Sequence, residues 1–171
     1  MKKEPTAEDL VKILDLKPHP EGGFFKETYR DEGKIVQKAL PEKFKGDRHF
    51  STAIYFLLPE GTKSSFHRIQ SDEVWHFYLG GSLTIVQIAP DGKMEKITLG
   101  SDVKKGEKLQ YVVPAGYWFG AYPNSGSSYS FVGCTVSPGF DFADFEMGKR
   151  EELLKQYPNA RQEIELLTDP S

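Results

Sequence analysis

Apolar residues along the chain change their spacing twice. Near the start, Leu10, Val11, Ile13 and Leu14 recur at helical spacing and form one stripe. Thr6 is placed to cap that helix, and Asp9 stands three residues on in the capping-box position. Lys17-Pro18-His19-Pro20 ends it, and Gly22-Gly23 lead into an extended run over 24–29. From 24 to 136 the pattern becomes that of strands. The runs 51–58, 73–79, 83–88, 94–99, 109–113, 117–122 and 127–136 are short and rich in aromatic and β-branched residues, which suit a half-buried pleated surface. Turn sequences such as Pro59-Glu60-Gly61, Gly80-Gly81, Pro90-Asp91-Gly92 and Pro114-Ala115-Gly116 separate them. Pro-Asp-Gly between Ile88 and Met94 predicts a hairpin, because glycine takes the left-handed conformation at low cost. No helical run lies between strands, which excludes a parallel α/β sheet and predicts an antiparallel sandwich or barrel. Helical spacing returns over 149–156 and 160–167, broken at Tyr157-Pro158-Asn159. There Leu153, Leu154, Ile164, Leu166 and Leu167 would cover a sheet face or a partner subunit.

Length and charge narrow this picture. At 171 residues the chain suits one domain, 1–171, with a barrel core over about 24–137 and a helical tail over about 141–171. With 22 basic and 25 acidic residues, the net charge of −3 argues against nucleic acid or an anionic membrane surface as partner. The single cysteine, Cys134, excludes an internal disulfide and fits a reducing compartment. Met1-Lys2-Lys3-Glu4-Pro5 runs into Glu8-Asp9 without an apolar stretch, unlike a signal peptide. No apolar run approaches the roughly 20 residues that span a bilayer. A soluble, cytoplasmic protein is expected.

The chemistry concentrates between Gly61 and Gly80. A turn feeds a strand carrying His67, and a second strand begins at Glu73, so an imidazole and a carboxyl can converge inside a small barrel. That is the arrangement of a divalent-metal site or of a base with an orienting acid. Strand alternation puts Glu73, Trp75 and Phe77 on one face and Val74, His76 and Tyr78 on the other. His76 therefore points away from any site at Glu73 unless a bulge intervenes. In the run after Gly23, Phe25, Glu27 and Tyr29 share a face, opposite Lys26, Thr28 and Arg30. Glu27 can serve either a ligand hydroxyl or a structural salt bridge. Cys134, in the apolar run 131–136, reads as a buried, inert thiol.

The segment resembles the first motif of the cupin superfamily: Gly61, His67, Glu73 and Gly80 fall on its spacing, with Ile69 in place of its second histidine. Pro114-Ala115-Gly116-Tyr117-Trp118-Phe119 resembles the second motif, with Phe119 at its histidine position. The likeness is closer to a small cupin family of unknown function. It rests on His19-Pro20-Glu21-Gly22-Gly23-Phe24 with Glu27 and Arg30, on Phe66-His67-Arg68, on the run 72–78, and on the run 134–140. That resemblance implies an all-β cupin jelly-roll barrel or sandwich with a short N-terminal helix and C-terminal helices, assembled as a homodimer. A looser similarity, to metal-independent epimerases of dTDP-keto-sugars, is carried by Gly23-Phe24-Phe25-Lys26-Glu27, by Phe66-His67-Arg68-Ile69-Gln70 and by the run 114–120. It implies His67 as a base.

The expectation that follows is a small-molecule-binding cupin with an aromatic-lined pocket around His67 and Glu73, taking a sugar-like or aromatic ligand. A metal-independent isomerase with His67, Glu73 and Tyr129 as catalytic residues is the alternative, and a metal-dependent cupin enzyme a second. Glu27, Ser65, Trp75, Phe77, Trp118 and Phe119 are the expected ligand contacts. No cofactor is expected, and a divalent metal is disfavoured because only two of the standard ligand positions survive.

Overall fold

Thr6 and Asp9 form the reciprocal capping box: Thr6 Oγ1 accepts from the Asp9 N–H at 3.0 Å, and Asp9 Oδ2 accepts from the Thr6 N–H at 2.9 Å. They open helix α1, Ala7–Ile13, in a computed structural model that describes residues 3–170. The Met1-Lys2 opening of the basic N-terminus and Ser171 at the end of the helical tail lie outside the described residues. Of the apolar stripe, Leu10 is buried with Val11 and Leu14 packed beside it, whereas Ile13 is exposed.

Thirteen strands follow. They are β1 Lys17–Pro18, β2 Phe24–Arg30, β3 Lys34–Ile35, β4 Arg48–His49, β5 Thr52–Pro59, β6 Ser64–Arg68, β7 Asp72–Gly80, β8 Leu83–Ile88, β9 Met94–Leu99, β10 Gln110–Val113, β11 Trp118–Pro123, β12 Tyr129–Ser137 and β13 Glu146–Met147. Helices α2, Arg150–Gln156, and α3, Arg161–Leu166, close the chain. A six-stranded sheet has the order β1-β2-β5-β12-β7-β10, a five-stranded sheet the order β13-β6-β11-β8-β9, and β3 pairs with β4 apart from both, with antiparallel pairing between neighbours. The architecture is the all-β sandwich expected from the sequence. The two-residue strands β1, β3, β4 and β13 are too short to show alternation and were not legible there.

Apolar side chains form three layers. Between the sheets lie Phe56, Leu58, Trp75, Leu83, Ile85, Leu99, Phe119 and Val132. On the outer face of the five-stranded sheet, Phe66, Val86, Ile88 and Trp118 meet Leu153, Tyr157, Ile164 and Leu167 of the helical tail. On the outer face of the six-stranded sheet, Leu57, Tyr129 and Phe131 pack beneath Leu10 and Leu16. Of the two covers foreseen for the tail, it is a sheet face that the helices occupy. No helix among the described residues is long and apolar enough to cross a membrane.

Register divides the space between the sheets along its length. Thr52 and Ile54 of β5 stand opposite Val136 and Cys134 of β12, and Val136 in turn faces Glu73 of β7. These inward positions line a cavity of about 390 Å³. Two to four residues further along the same three strands, Phe56, Leu58, Val132, Trp75 and Phe77 fill the gap with hydrocarbon.

Candidate functional site: a buried carboxyl–imidazole cavity

Glu21 is the residue that completes the cavity, and a glycine pair delivers it. The loop between β1 and β2 turns back at His19–Gly23, where the His19 N–H donates to the Gly23 carbonyl and the Gly22 N–H to the His19 carbonyl. Gly22 and Gly23 both have positive φ, and a Cβ on Gly22 would stand 2.0 Å from the Lys63 carbonyl oxygen. Only glycine fits that close approach to β6 without strain. The loop is further pinned by the Ser65 N–H donating to the Glu21 carbonyl at 2.7 Å.

So placed, Glu21 Oε2 lies 2.7 Å from Nε2 of His67, with both side chains about 95% or more buried. His67 Nδ1 lies 2.8 Å from the Ser65 carbonyl, which can only accept, so Nδ1 carries a proton. Both ring nitrogens thus lie within 2.8 Å of protein oxygens. Burial opposes charge on the ring, but the Glu21 carboxylate outweighs it and holds the imidazole pKa above its ordinary value. Burial likewise opposes charge on Glu21, and His67 reverses this, leaving its pKa below the ordinary carboxylate range. The pair is an imidazolium–carboxylate. His19 takes no part in the charge: it accepts the Glu21 N–H at Nδ1, at 3.1 Å, and burial lowers its pKa, so its 3.6 Å approach to Glu21 Oε1 is not an ion pair. The His67 ring sits between Phe119, 4.2 Å away between centroids, and Phe145, stacked at 5.4 Å.

Glu73 shares the cavity without a cation of its own. Burial pushes its pKa up to about 7; His67 pulls it down and Glu21 pushes it up. Cys134 faces it from β12, and burial raises the thiol well above its usual range, so it stays protonated and is no nucleophile. Two buried carboxyls and one imidazolium therefore meet in one cavity, one carboxyl held ionised and the other poised near neutrality.

Apolar walls surround this polar cluster. Phe25, Ile54, Ile69, Val136, Phe140 and Phe145 line the cavity, and the half-exposed Glu27, Arg30 and Phe142 stand at its rim. The aromatic wall of 140–145 is held from behind by a buried ion pair. Arg48 donates Nε to Asp144 Oδ2 at 2.8 Å and a terminal N–H to Oδ1 at 2.7 Å.

Several residues singled out from the sequence land elsewhere. Tyr129, expected to serve catalysis, lies outside the cavity beneath α1 and donates its O–H to the Pro5 carbonyl at 2.7 Å. Trp118 points the opposite way from Phe119, into the layer under the helical tail, with the Arg68 guanidinium 4.4 Å over its ring. Alternation in β11 makes the two mutually exclusive as pocket residues. Phe77 packs in the filled half of the sandwich, and the Trp75 ring packs there too, with its indole N–H toward Glu73 at the cavity boundary. Ser65 contributes its backbone to His67 and Glu21, while its side chain borders a separate surface depression beside Met147 and Lys149. A register shift across 64–67 in the β6–β11 pairing turns it off the His67 face. A second shift, between Glu27 and Tyr29, makes Thr28 an extra residue, so Arg30 rather than Tyr29 joins Phe25 and Glu27 at the cavity. Glu27 reaches the rim and is paired with Arg30 there. His76 lies on the outer face, bonded to Thr135 and Gln110.

The donor set does not fit a cupin metal centre. His67 Nε2 is occupied by Glu21, and Ile69 and Phe119 supply hydrocarbon where the motifs place imidazole. Among the described residues, no group of three or more His, Cys, Asp or Glu is arranged to hold a metal ion.

Comparison with known proteins gives a consistent set of relatives. The family described as Cupin superfamily (DUF985) matches residues 8–148. An uncharacterized protein of Saccharomyces cerevisiae, YML079W, is 32% identical over 170 residues, covering 94% of this chain and 84% of its own. A crystal structure of protein SO0799 from Shewanella oneidensis superposes with a TM-score of 0.89 at 40% identity, over 98% of this chain and all of that one. A hypothetical protein from Leishmania major gives a TM-score of 0.88 at 34% identity, over 97% of this chain and 100% of that one.

Proposed function

We propose, for a chain that belongs to the cupin family of unknown function DUF985, that the cavity binds a small organic molecule and moves a proton on it without a metal. The observation that carries this reading is the mismatch of charge inside the cavity: Glu21 and Glu73 are both buried there, and His67 forms its ion pair with Glu21. Pairs of carboxyls whose surroundings drive their pKa values apart are a common device for holding one ionised and one exchangeable. In this reading Glu73 is the proton carrier. Its carboxylate takes a proton from carbon next to a carbonyl, leaving the electron pair delocalised onto the carbonyl oxygen, and the resulting carboxylic acid returns the proton to the same carbon or its neighbour. His67 does not touch the ligand; it keeps Glu21 ionised, and Glu21 in turn raises the affinity of Glu73 for its proton. This moves the role expected for His67 onto Glu73, because both imidazole nitrogens already stand against protein oxygens.

The test is exchange of carbon-bound protons with deuterium from solvent, followed by NMR across small ketones, aldoses and amino-ketones. At least one compound should exchange with wild-type protein, and Glu73→Gln should remove the exchange while the protein remains folded. Undiminished exchange in Glu73→Gln would take the proton carrier away from this residue. Exchange in no compound that binds would reduce the cavity to a binding site.

A further inference from the structure

The charged groups around the cavity identify the kind of molecule it takes. Its lining holds four carboxyl side chains, Glu21, Glu27, Glu73 and Asp141, against two cationic ones, Arg30 and His67. Both cations are already answered. Arg30 donates Nε to Glu27 Oε1 at 3.1 Å and a terminal N–H to the Phe140 carbonyl at 3.1 Å, and His67 is held by Glu21. His49 is tied through Nδ1 to the Asp31 carbonyl, 2.6 Å away. A phosphate, sulfonate or carboxylate entering here would meet more negative charge than positive, and the arginine of the lining, Arg30, is already paired with Glu27.

Glu73 has the opposite need. The residue is 91% buried, it opens onto the cavity, and no ion pair among the described residues reaches it. The groups that face it are the His67–Glu21 pair from β6 and the glycine loop, the neutral Cys134 thiol from β12 and the uncharged indole N–H of Trp75. A buried carboxylate without a cation is costly, and a ligand that brings one recovers that cost on binding. The remaining wall is aromatic: Phe25, Phe140, Phe142 and Phe145 line the same space. Aromatic faces beside a carboxylate are the chemistry that receives organic ammonium groups.

We infer that the cavity is selective for a small organic cation, an ammonium group on a ring-sized frame that carries no anionic substituent, with Glu73 as its counter-ion. This rests on the reading of the cavity as a small-molecule site and names the class of molecule. It sets the protein apart from enzymes that take nucleotide-linked or phosphorylated sugars, whose substrates bring anions. Glu73 both holds the ammonium and stands next to the carbon it would deprotonate, and an ammonium beside a carbonyl makes that carbon more acidic.

Three probes of one shape and different charge test it: benzylammonium, benzyl alcohol and benzoate, titrated at pH 8 into the full-length protein by calorimetry or ligand-observed NMR. Benzylammonium should bind about tenfold more tightly than benzyl alcohol, and Glu73→Gln should bring the two within about threefold, as expected when a charge-assisted contact is replaced by a neutral one. Benzoate should be the weakest. Equal binding of amine and alcohol by the wild type, tighter binding of benzoate, or a preference that survives Glu73→Gln would each overturn the assignment of charge while leaving a binding cavity in place. Failure of all three probes to bind would overturn the cavity reading itself. Solvent exchange tests proton transfer separately, so binding of the amine without exchange removes only the catalytic step.

Discussion

The same three strands build two unlike regions. Over Phe56–Leu58, Trp75–Phe77 and Val132 the gap between the sheets is filled with hydrocarbon, and Trp75 and Phe56 are almost wholly excluded from water. One or two pleats away, over Thr52–Ile54, Glu73 and Cys134–Val136, the gap is left open and contains the buried ionisable groups Glu21, His67, Glu73 and Cys134. The filled region gains from every contact it makes. The open region gives up dispersion contacts and holds a carboxyl in surroundings that disfavour its charge, which are costs to stability with no return in the folded chain alone. That contrast is what marks the open region as the candidate site: local rules are obeyed at one end and broken at the other.

The contrast predicts effects of opposite sign. The largest belongs to the filled end. Trp75→Ala should destabilise the protein by about 3–5 kcal/mol, because it removes a fully buried ring from between Phe56 and Phe119 and leaves a void the sheets cannot close. Chemical denaturation of the variant measures this directly. A loss below about 1 kcal/mol would mean that the sandwich is not held together at that end.

Glu73 should behave in the reverse way. Its folded pKa of about 7 lies above the ordinary 4.5, so the folded chain holds the proton more tightly than the unfolded chain does. Its contribution to stability is therefore present in full below about pH 4.5 and is lost as pH rises through about 7, with a span of about 3 kcal/mol for a shift of this size. Glu73→Gln lacks that titration. Relative to wild type, it should gain about 3 kcal/mol between pH 4 and pH 8. Denaturation midpoints at the two pH values supply the difference, and constant costs of the amide cancel in it. A carboxyl whose ionisation works against the fold is retained for something other than the fold.

The filled end was largely legible in the sequence because its strands are runs of aromatic and β-branched residues set off by turn sequences: runs 51–58, 73–79 and 83–88 mark strands within a residue or so of β5, β7 and β8. His67 and Glu73 were legible from motif spacing, and both stand at the cavity. The rest of the site was not, for two physical reasons. Glu21 reaches it from a loop whose path is set by close backbone approach at Gly22 and Gly23, and no periodicity reports such an approach. Arg30 and Ser65 change faces because the register slips at Thr28 and within 64–67, and one slipped residue reverses every assignment beyond it. Trp118 was legible in principle: Phe119 inside requires Trp118 outside. An aromatic inventory without parity hid that.

The smallest expected effect gives the sharpest comparison, because it uses one strand. Ile54 and Leu58 both point between the sheets from β5, four residues apart, but Leu58 is fully buried in the filled end and Ile54 is a partly buried wall of the cavity. Truncating Leu58 opens a new void, with an expected cost for Leu58→Ala of about 2–5 kcal/mol. Truncating Ile54 enlarges a space that is already there, so its methyl groups lose few partners, and Ile54→Ala should cost only about 1 kcal/mol. Binding should move the other way: the Ile54 change should weaken the binding of benzylammonium, whereas the Leu58 change should leave it unaltered in the folded protein. Equal destabilisation by the two would mean that the cavity closes on itself in solution, and the distinction between the two ends would fail at the strand where it is easiest to measure.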